Sequence, residues 1–328
     1  MKIDIITDGN NQLGLGHIYQ TLTLIDYLLE QDSTLDINLY TKSEPSVISL
    51  LKRSGCEVTF CSNDREILDL LVQRQAERII FDKLDVFPEL AKNIKQLLTA
   101  KLFIFTNLTE ANNYADVTLL ADIGSNFKNI YKKDARSGKV EFFGPKYWIL
   151  RPEFYRYRLA KKTPLGDVRK IMLIFGGSDP SNFSSAVLME ILKMTMSFQV
   201  TLVIGSSFAH TAELERVING NQSNSDVSVY QNISNVAEMM SLHDVVFASP
   251  GLSFFESIVI GTPVVGFHQN ELQKKAYQNV FPTLGKKDIK NISKILVNKN
   301  FIFSDNCAIK RMAIGEGKNE ILQEILSS

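Results

Sequence analysis

Three short loops carry the residues whose types and spacing can do chemistry. The first is Asp8-Gly-Asn-Asn-Gln-Leu-Gly-Leu-Gly-His17. Gly9, Gly14 and Gly16 let the backbone adopt positive φ and approach a ligand closely. It is not a dinucleotide fingerprint, because Gly14-x-Gly16 runs straight into His17 and the third glycine is missing. His17 falls at the predicted start of a helix. The helix dipole there disfavours the imidazolium, which keeps the ring neutral and able to accept a proton. The plainer alternative is a histidine that caps or packs the turn. His210 and His243 lie in polar helical surroundings and read as surface residues, whereas His268 directly follows a strand and can line a cleft.

The second loop is Phe175-Gly-Gly-Ser-Asp-Pro-Ser-Asn182. Gly176, Gly177 and Ser178, with Asp179 and Asn182 before a helix, suit backbone contact with phosphate. A strand-to-helix turn with a capping residue fits equally well. The third is Ala248-Ser-Pro-Gly-Leu-Ser-Phe-Phe-Glu256. Here backbone amides beside Ser249, Gly251 and Ser253 can hold a diphosphate, and Glu256, three residues on, can take a ribose diol. A capping box of Ser253 with Glu256 has the same spacing. Three such loops at strand ends make coincidence less plausible than any one alone.

Other chemistries find no support. No Asp-x-Asp occurs, so a metal-held diphosphate is not suggested. Cys56, Cys61 and Cys307 lack zinc-site spacing, and no Gly-x-Ser-x-Gly elbow or Walker loop is present. The 36 Lys+Arg balance 36 Asp+Glu, which argues against a nucleic-acid partner. Cysteine scarcity, the missing secretory pattern and the absence of an apolar run near ~20 residues predict a cytoplasmic protein without a membrane span.

Stepping from the loops to their supports, short apolar runs alternate with amphipathic segments. Strands are predicted at Ile3–Thr7, Ile37–Tyr40, Val58–Phe60, Arg78–Asp82 and Leu102–Phe105. Helices are predicted at His17–Glu30, near Val47–Arg53 and at Leu90–Leu98. The polar stretch from Thr106 to about Gly138 matches neither period. A basic, polar linker is predicted at Arg156–Arg169. Beyond it, strands at Lys170–Phe175, Val200–Ile204, Val227–Tyr230, Val245–Ala248 and Pro263–Phe267 alternate with helices at Asn182–Leu192, Ala212–Ile218, Val236–Leu242 and Leu252–Ile258. The 328 residues then form an α/β protein of two doubly wound, Rossmann-type domains, 1–160 and 168–328, facing a central cleft. Ligands of such sheets sit beyond the carboxyl ends of the strands, where Asp8 and Asp82 lie.

Together these loops resemble the UDP-sugar hydrolase family of pseudaminic acid biosynthesis, within the superfamily of GT-B glycosyltransferases. The matching stretches are Gly14-Leu-Gly-His17, Tyr147-Trp-Ile-Leu-Arg-Pro-Glu-Phe154, Gly176-Gly-Ser-Asp179 with Asn182, and Ser249–Glu256. The resemblance implies a GT-B-like fold and His17 as general base for water. It implies UDP in the C-terminal half, with Glu256 on the ribose and the Gly251–Ser253 amides on the diphosphate. The Phe267–Gln273 segment, with His268, Asn270 and Gln273, would border the nucleotide or sugar. No cofactor is implied. The substrate would be UDP-2,4-diacetamido-2,4,6-trideoxy-altrose, cleaved at its anomeric C–O bond without a metal. Predicted helices at Ile289–Leu296 and Ile309–Leu326 would pack back on the first domain, as in GT-B proteins.

Four positions depart from that family. Gln20 stands in place of an arginine, Leu84 lies where an aromatic residue is expected, Thr106-Asn107 replaces an acidic pair, and Leu120-Ala-Asp122 lacks an asparagine. All four lie on the sugar-facing side, to which Asp8, Asp82 and Asn107 are assigned. Three readings follow: a hydrolase, a GT-B glycosyltransferase whose His17 deprotonates an acceptor, or a non-catalytic nucleotide-sugar binder.

Overall fold

The computed structural model describes residues 1–9, 14–121, 128–158, 167–205, 207–277, 281, 283–298 and 311–327. The chain divides into two compact units. One comprises Met1–Asn10, His17–Ile149 and Met312–Ser328; the other comprises Asn11–Gly16 and Leu150–Arg311.

The first unit runs β1 (Lys2–Thr7), α1 (Gly16–Gln31), β2 (Asp36–Thr41), α2 (Pro45–Leu51), β3 (Glu57–Phe60), α3 (Asp64–Arg74), β4 (Arg78–Asp82), α4 (Pro88–Leu97), β5 (Lys101–Phe105), β6 (Val117–Leu120), β7 (Ile130–Lys133) and β8 (Val140–Phe143). Its eight strands lie in the order β3-β2-β1-β4-β5-β6-β8-β7. All pair in parallel except β7, which runs antiparallel to β8. β4 reads Arg-Ile-Ile-Phe-Asp with its last four residues buried, the pattern of a strand covered on both faces. Ile79, Phe81, Ile67, Leu71, Leu90 and Ile94 belong to the core on one side.

The second unit continues with α5 (Pro152–Arg156), β9 (Lys170–Ile174), α6 (Phe183–Leu192), β10 (Gln199–Ile204), α7 (Thr211–Asn219), β11 (Asp226–Gln231), α8 (Val236–Leu242) and β12 (Val245–Ala248). Then come α9 (Leu252–Ile260), β13 (Val264–Phe267), α10 (Glu271–Tyr277), β14 (Thr283–Leu284) and α11 (Ile292–Asn298). The strand order is β11-β10-β9-β12-β13-β14, all parallel. The first six strands of the other sheet have the same order. Each sheet therefore has one switch point, between β1 and β4 or between β9 and β12, where neighbouring connections leave in opposite directions. A crevice opens there at the carboxyl ends of the strands. Thr7 lies beside Asp82 at one switch, and Ile174 beside Ala248 at the other.

The predicted strands and most predicted helices are present, together with elements that were not predicted, among them α3, β6, β7 and β8. Helix α3 carries an Asn63 cap that accepts from the amides of Arg65 and Glu66. β6, β7 and β8 arise within or just after the stretch that matched neither period, because the exposed, polar β7 alternates poorly. The predicted helix Ile289–Leu296 splits into a 3-10 turn, Lys286–Asn291, followed by α11. In the last segment, Arg311 and Met312 are helical and a turn with left-handed Ala313 and Gly315 separates them from the helix Lys318–Leu326 (α12). Part of the predicted linker, residues 159–166, and Asp122 lie outside the described residues.

α12 belongs to the first unit. Lys101 pairs with Glu324 at 2.5 Å, and Arg78 donates to the Ile325 carbonyl at 2.9 Å. Tyr147 donates to Glu320, and the Lys318 ammonium lies 3.9 Å from the Tyr27 ring centroid. Among the described residues no helix is long and apolar enough to cross a membrane.

One buried charge pair in this unit sets a pH dependence. Asp4, on β1, is fully buried and accepts from Arg74 Nε at 2.7 Å; its Oδ2 has no partner. Burial outweighs the guanidinium and pushes the Asp4 carboxyl up to about 6. The folded chain therefore keeps a proton there that the unfolded chain loses above 3.8. That contribution is complete below the unfolded value and is lost as pH rises through about 6, with a limit on the order of 3 kcal/mol. Urea unfolding of Asp4→Asn should show a flatter stability profile than the wild type between about pH 4 and 6.

Candidate functional site

At the β1–β4 switch, α1 presents three donors to one carboxylate. His17, Gln20 and Thr21 are spaced i, i+3 and i+4, so they share a helix face. His17 Nδ1 lies 2.8 Å from Asp82 Oδ1. Gln20 Nε2 reaches both Asp82 oxygens, at 3.1 and 3.0 Å, and Thr21 Oγ1 donates to Oδ2 at 3.2 Å. The Asp82 side chain is 1% exposed and that of His17 14%. With Nδ1–H donated to the carboxylate, Nε2 is the ring nitrogen left to take a proton. Asp82 also stabilises the imidazolium that proton transfer creates. The expectation for His17 rested on the helix dipole alone; the structure supplies this carboxylate as a second influence. The described side-chain hydrogen bonds of Asp82, which was expected at the sugar, come from α1. Gln20, noted as a departure in the sequence, is buried and donates to both Asp82 oxygens through a neutral amide.

The other residues assigned to the sugar side are also bonded to neighbouring loops. Asp8 pairs with Lys83 and accepts from the Lys42 amide at 2.7 Å. Burial alone would push its carboxyl up, but Lys83 and the Lys42 amide hold it below the usual range. Asp8 thus ties β1 to the loop after β2. Asn107 is buried, with Oδ1 accepting from the Val86 amide at 2.9 Å and Nδ2 donating to Thr109 and Asn112. Those bonds shape the loop after β5. Gly14 has φ +84°, a conformation that favours glycine, and Gly16 opens α1. Residues 10–13 of this loop lie outside the described residues.

At the β9–β12 switch, Gly176 has φ +88°, again glycine's province. A Cβ on Gly205 would lie 2.3 Å from the Gly177 carbonyl oxygen, so the end of β10 presses directly on the diglycine turn. Ser178 is buried. Asp179 serves α6: its oxygens accept from the amides of Phe183 at 3.0 Å and Ser184 at 2.7 Å. Asn182 caps the same helix through the Ser185 amide. The capping bonds weighed as an alternative are thus present for Asp179 and Asn182.

The capping box expected as an alternative at α9 does not form. Its N-cap is Gly251, without a side-chain cap bond, so Ser253 and Glu256 stand at the second and fifth helical positions. The first amides of α9 and the Ser253 hydroxyl thus remain for a ligand. Glu256 is buried and accepts from Arg151 Nη2 at 3.2 Å. Burial pushes its carboxyl up, and Arg151 works against that.

Gln269, overlooked in the sequence, joins the loops. Its Nε2 donates to Asp179 Oδ1 at 3.0 Å and to Ser249 Oγ at 2.9 Å, while Oε1 accepts from the Ser181 amide at 3.1 Å. Gln273 accepts from the Gln269 amide and donates to the Pro250 carbonyl, and Asn270 Oδ1 accepts from the Gln273 amide. Both were expected at the substrate; Gln273 ties this loop to the turn after β12, and Asn270 bonds within the loop. His268 packs on Gly285, where a Cβ would come within 2.7 Å of its Nε2. Burial, with Lys274, pushes the His268 ring below its usual value. His243 is not a surface residue: it is half-buried and bonds to the Met239 carbonyl at 2.6 Å and Thr201 Oγ1 at 2.9 Å. Only the position of Gln269 inside the Phe267–Gln273 segment hinted at its role. Arg151 lay in the Leu-Arg-Pro-Glu-Phe stretch with no role assigned.

No family model matches the chain. An uncharacterised protein of Methanocaldococcus jannaschii is 35% identical over 329 residues, spanning 99% of this chain and 66% of that protein. The spore coat polysaccharide biosynthesis protein SpsG of Bacillus subtilis is 26% identical over 284 residues, spanning 83% of this chain and 79% of SpsG. Among solved structures, MurG of Acinetobacter baumannii superposes with a TM-score of 0.63 at 12% identity over the full length of both chains. The calicheamicin glycosyltransferase CalG4 gives 0.62 at 13% identity, covering 100% of this chain and 99% of CalG4. With two parallel sheets of shared strand order and these structural neighbours, the chain has the α/β fold of the GT-B glycosyltransferases.

Proposed function

We propose that the chain hydrolyses a UDP-activated diacetamido-trideoxy sugar, releasing UDP, in the synthesis of a nonulosonic acid or a surface polysaccharide. The observation that carries this reading is the His17–Asp82 pair, a buried carboxylate fixing one imidazole nitrogen and leaving the other available. Similarity to SpsG, named for polysaccharide biosynthesis, supports the sugar pathway. The glycine turn Gly176–Gly177 and the uncapped start of α9 support the nucleotide.

His17 Nε2 takes a proton from water as the water oxygen attacks the anomeric carbon. The C–O bond to the diphosphate breaks and its electron pair leaves with UDP. Asp82 balances the imidazolium, which then releases the proton to solvent. Backbone amides and the Ser253 hydroxyl offset the growing charge on the leaving diphosphate. Gln20 and Thr21 satisfy the remaining lone pairs of Asp82 without adding charge, so His17 is the only member of this group that gains charge during the step. A cytoplasmic location accords with such a substrate.

Phosphorus NMR with UDP-2,4-diacetamido-2,4,6-trideoxy-altrose and no acceptor tests the reaction. The wild type should release UDP; His17→Ala should lose about 10²–10⁴-fold in kcat while still binding UDP. UDP release only after an acceptor alcohol is supplied would make the enzyme a glycosyltransferase. Binding with no turnover in either condition would make it a nucleotide-sugar binder. Asp82→Asn should lower kcat by a similar factor with KM little changed, because it disturbs the orientation of His17 and not substrate contact. Gln269→Leu should do the opposite: UDP affinity falls about tenfold, or ~1.4 kcal/mol, while the rate at saturating substrate holds.

A further inference from the structure

The Leu150–Phe154 segment does more than connect elements. Arg151 directs two nitrogens at a single oxygen of Glu256, Nε at 3.3 Å and Nη2 at 3.2 Å from Oε1. Among the described residues, Oε2 receives no hydrogen bond. Arg151 is itself fixed from two sides. Its Nη1 pairs with Glu153 Oε1 at 3.2 Å, and its guanidinium lies 4.7 Å from the Phe154 ring centroid. The guanidinium plane therefore has a set direction, and with it the carboxylate. A symmetric, two-oxygen pairing would have consumed Glu256; this one-sided contact leaves an acceptor over.

We propose that Arg151 is a positioning residue that aims Glu256 Oε2 at a ribose hydroxyl and favours the carboxylate form, so that the second unit prefers a ribonucleotide to its 2′-deoxy counterpart. The inference rests on the reading that Glu256 meets the ribose of UDP. Its physical basis is the cost of an unpaired buried carboxylate, which takes up a proton instead of staying ionised. A protonated Glu256 would lose acceptor strength toward the diol. The charged groups acting on it are Arg151, which favours the carboxylate, and Glu153, which opposes it. α9, β12 and β13 carry no other charged residue, and α8 carries only Glu238, which is exposed.

Calorimetric titration with UDP and 2′-deoxy-UDP between about pH 5 and 9 tests this on the full chain. The wild type should prefer UDP by about tenfold near neutral pH, with the preference fading on the acid side. Arg151→Gln should move that fade upward by about one pH unit or more, and Arg151→Lys should restore part of it. Glu256→Gln and the double variant Arg151→Gln/Glu256→Gln should share one weak, pH-independent preference. The double variant leaves no unpaired buried charge, so it carries the test even where Arg151→Gln unfolds. A ribose preference in Arg151→Gln equal to the wild type at every pH would overturn the proposal, as would a double variant that differs from Glu256→Gln. Equal wild-type affinity for the two nucleotides would overturn the Glu256–ribose reading itself, a distinct failure.

Discussion

The buried carboxylate of Asp82 is the constraint around which the first unit is arranged. An ionised group at 1% exposure is tolerable only with hydrogen-bond donors on its lone pairs. Four hydrogen bonds come from one face of α1, which fixes the rotation of that helix about its axis as well as its distance from β4. The histidine ring follows from the same geometry. Because strands β1 and β4 are neighbours, Asp82 lies beside Thr7, and the helix that leaves β1 crosses directly over it. Satisfying a charge and aiming a base are thus one structural event.

The second unit solves a different problem: three irregular loops must keep their shape with their ligand-facing amides unused. Gln269 does so with one neutral carboxamide that touches the diglycine loop, the β12 turn and, through its own amide, Gln273. Asp179 and Asn182 spend their side chains on α6, which leaves the glycines before them free of capping duty. Beneath α9, Phe254 stacks on Phe281 at 4.4 Å between centroids, and Phe281 on Tyr277 at 5.4 Å. That aromatic column supports the helix whose first turn is offered to the ligand. The Arg151–Glu256 contact belongs to the same scheme, since it orients a polar group without exhausting it.

The fold was legible because the central strands of both sheets are parallel and buried, so they read as apolar runs such as Arg78–Asp82 and Lys170–Ile174. β7 escaped because every residue of it is exposed, which removes the alternation that marks a strand. At the site, the loops and His17 were visible from residue type and position. The hydrogen bonds that Asp8, Asp82, Asn107, Asp179, Asn270 and Gln273 make to neighbouring segments were not, because strand-end polar residues look alike in sequence whether they face a ligand or a neighbouring loop. What distinguishes them is which lone pairs are already occupied, and that depends on partners tens of residues away. Gln20 is the clearest instance: in sequence it is a missing arginine, and in three dimensions it completes the Asp82 clamp.

The antiparallel strand β7 closes the far side of the first sheet. A parallel sheet ends in a row of unpaired amides and carbonyls to which another chain can add. Here that row belongs to a strand of four exposed residues, Ile130-Tyr131-Lys132-Lys133, in which Lys132 is paired with Glu141 on its neighbour. An incoming strand would have to bring its backbone alongside two lysines over a very short pairing length. The reversal of direction thus acts as a guard against edge-to-edge aggregation at the eighth strand of the sheet.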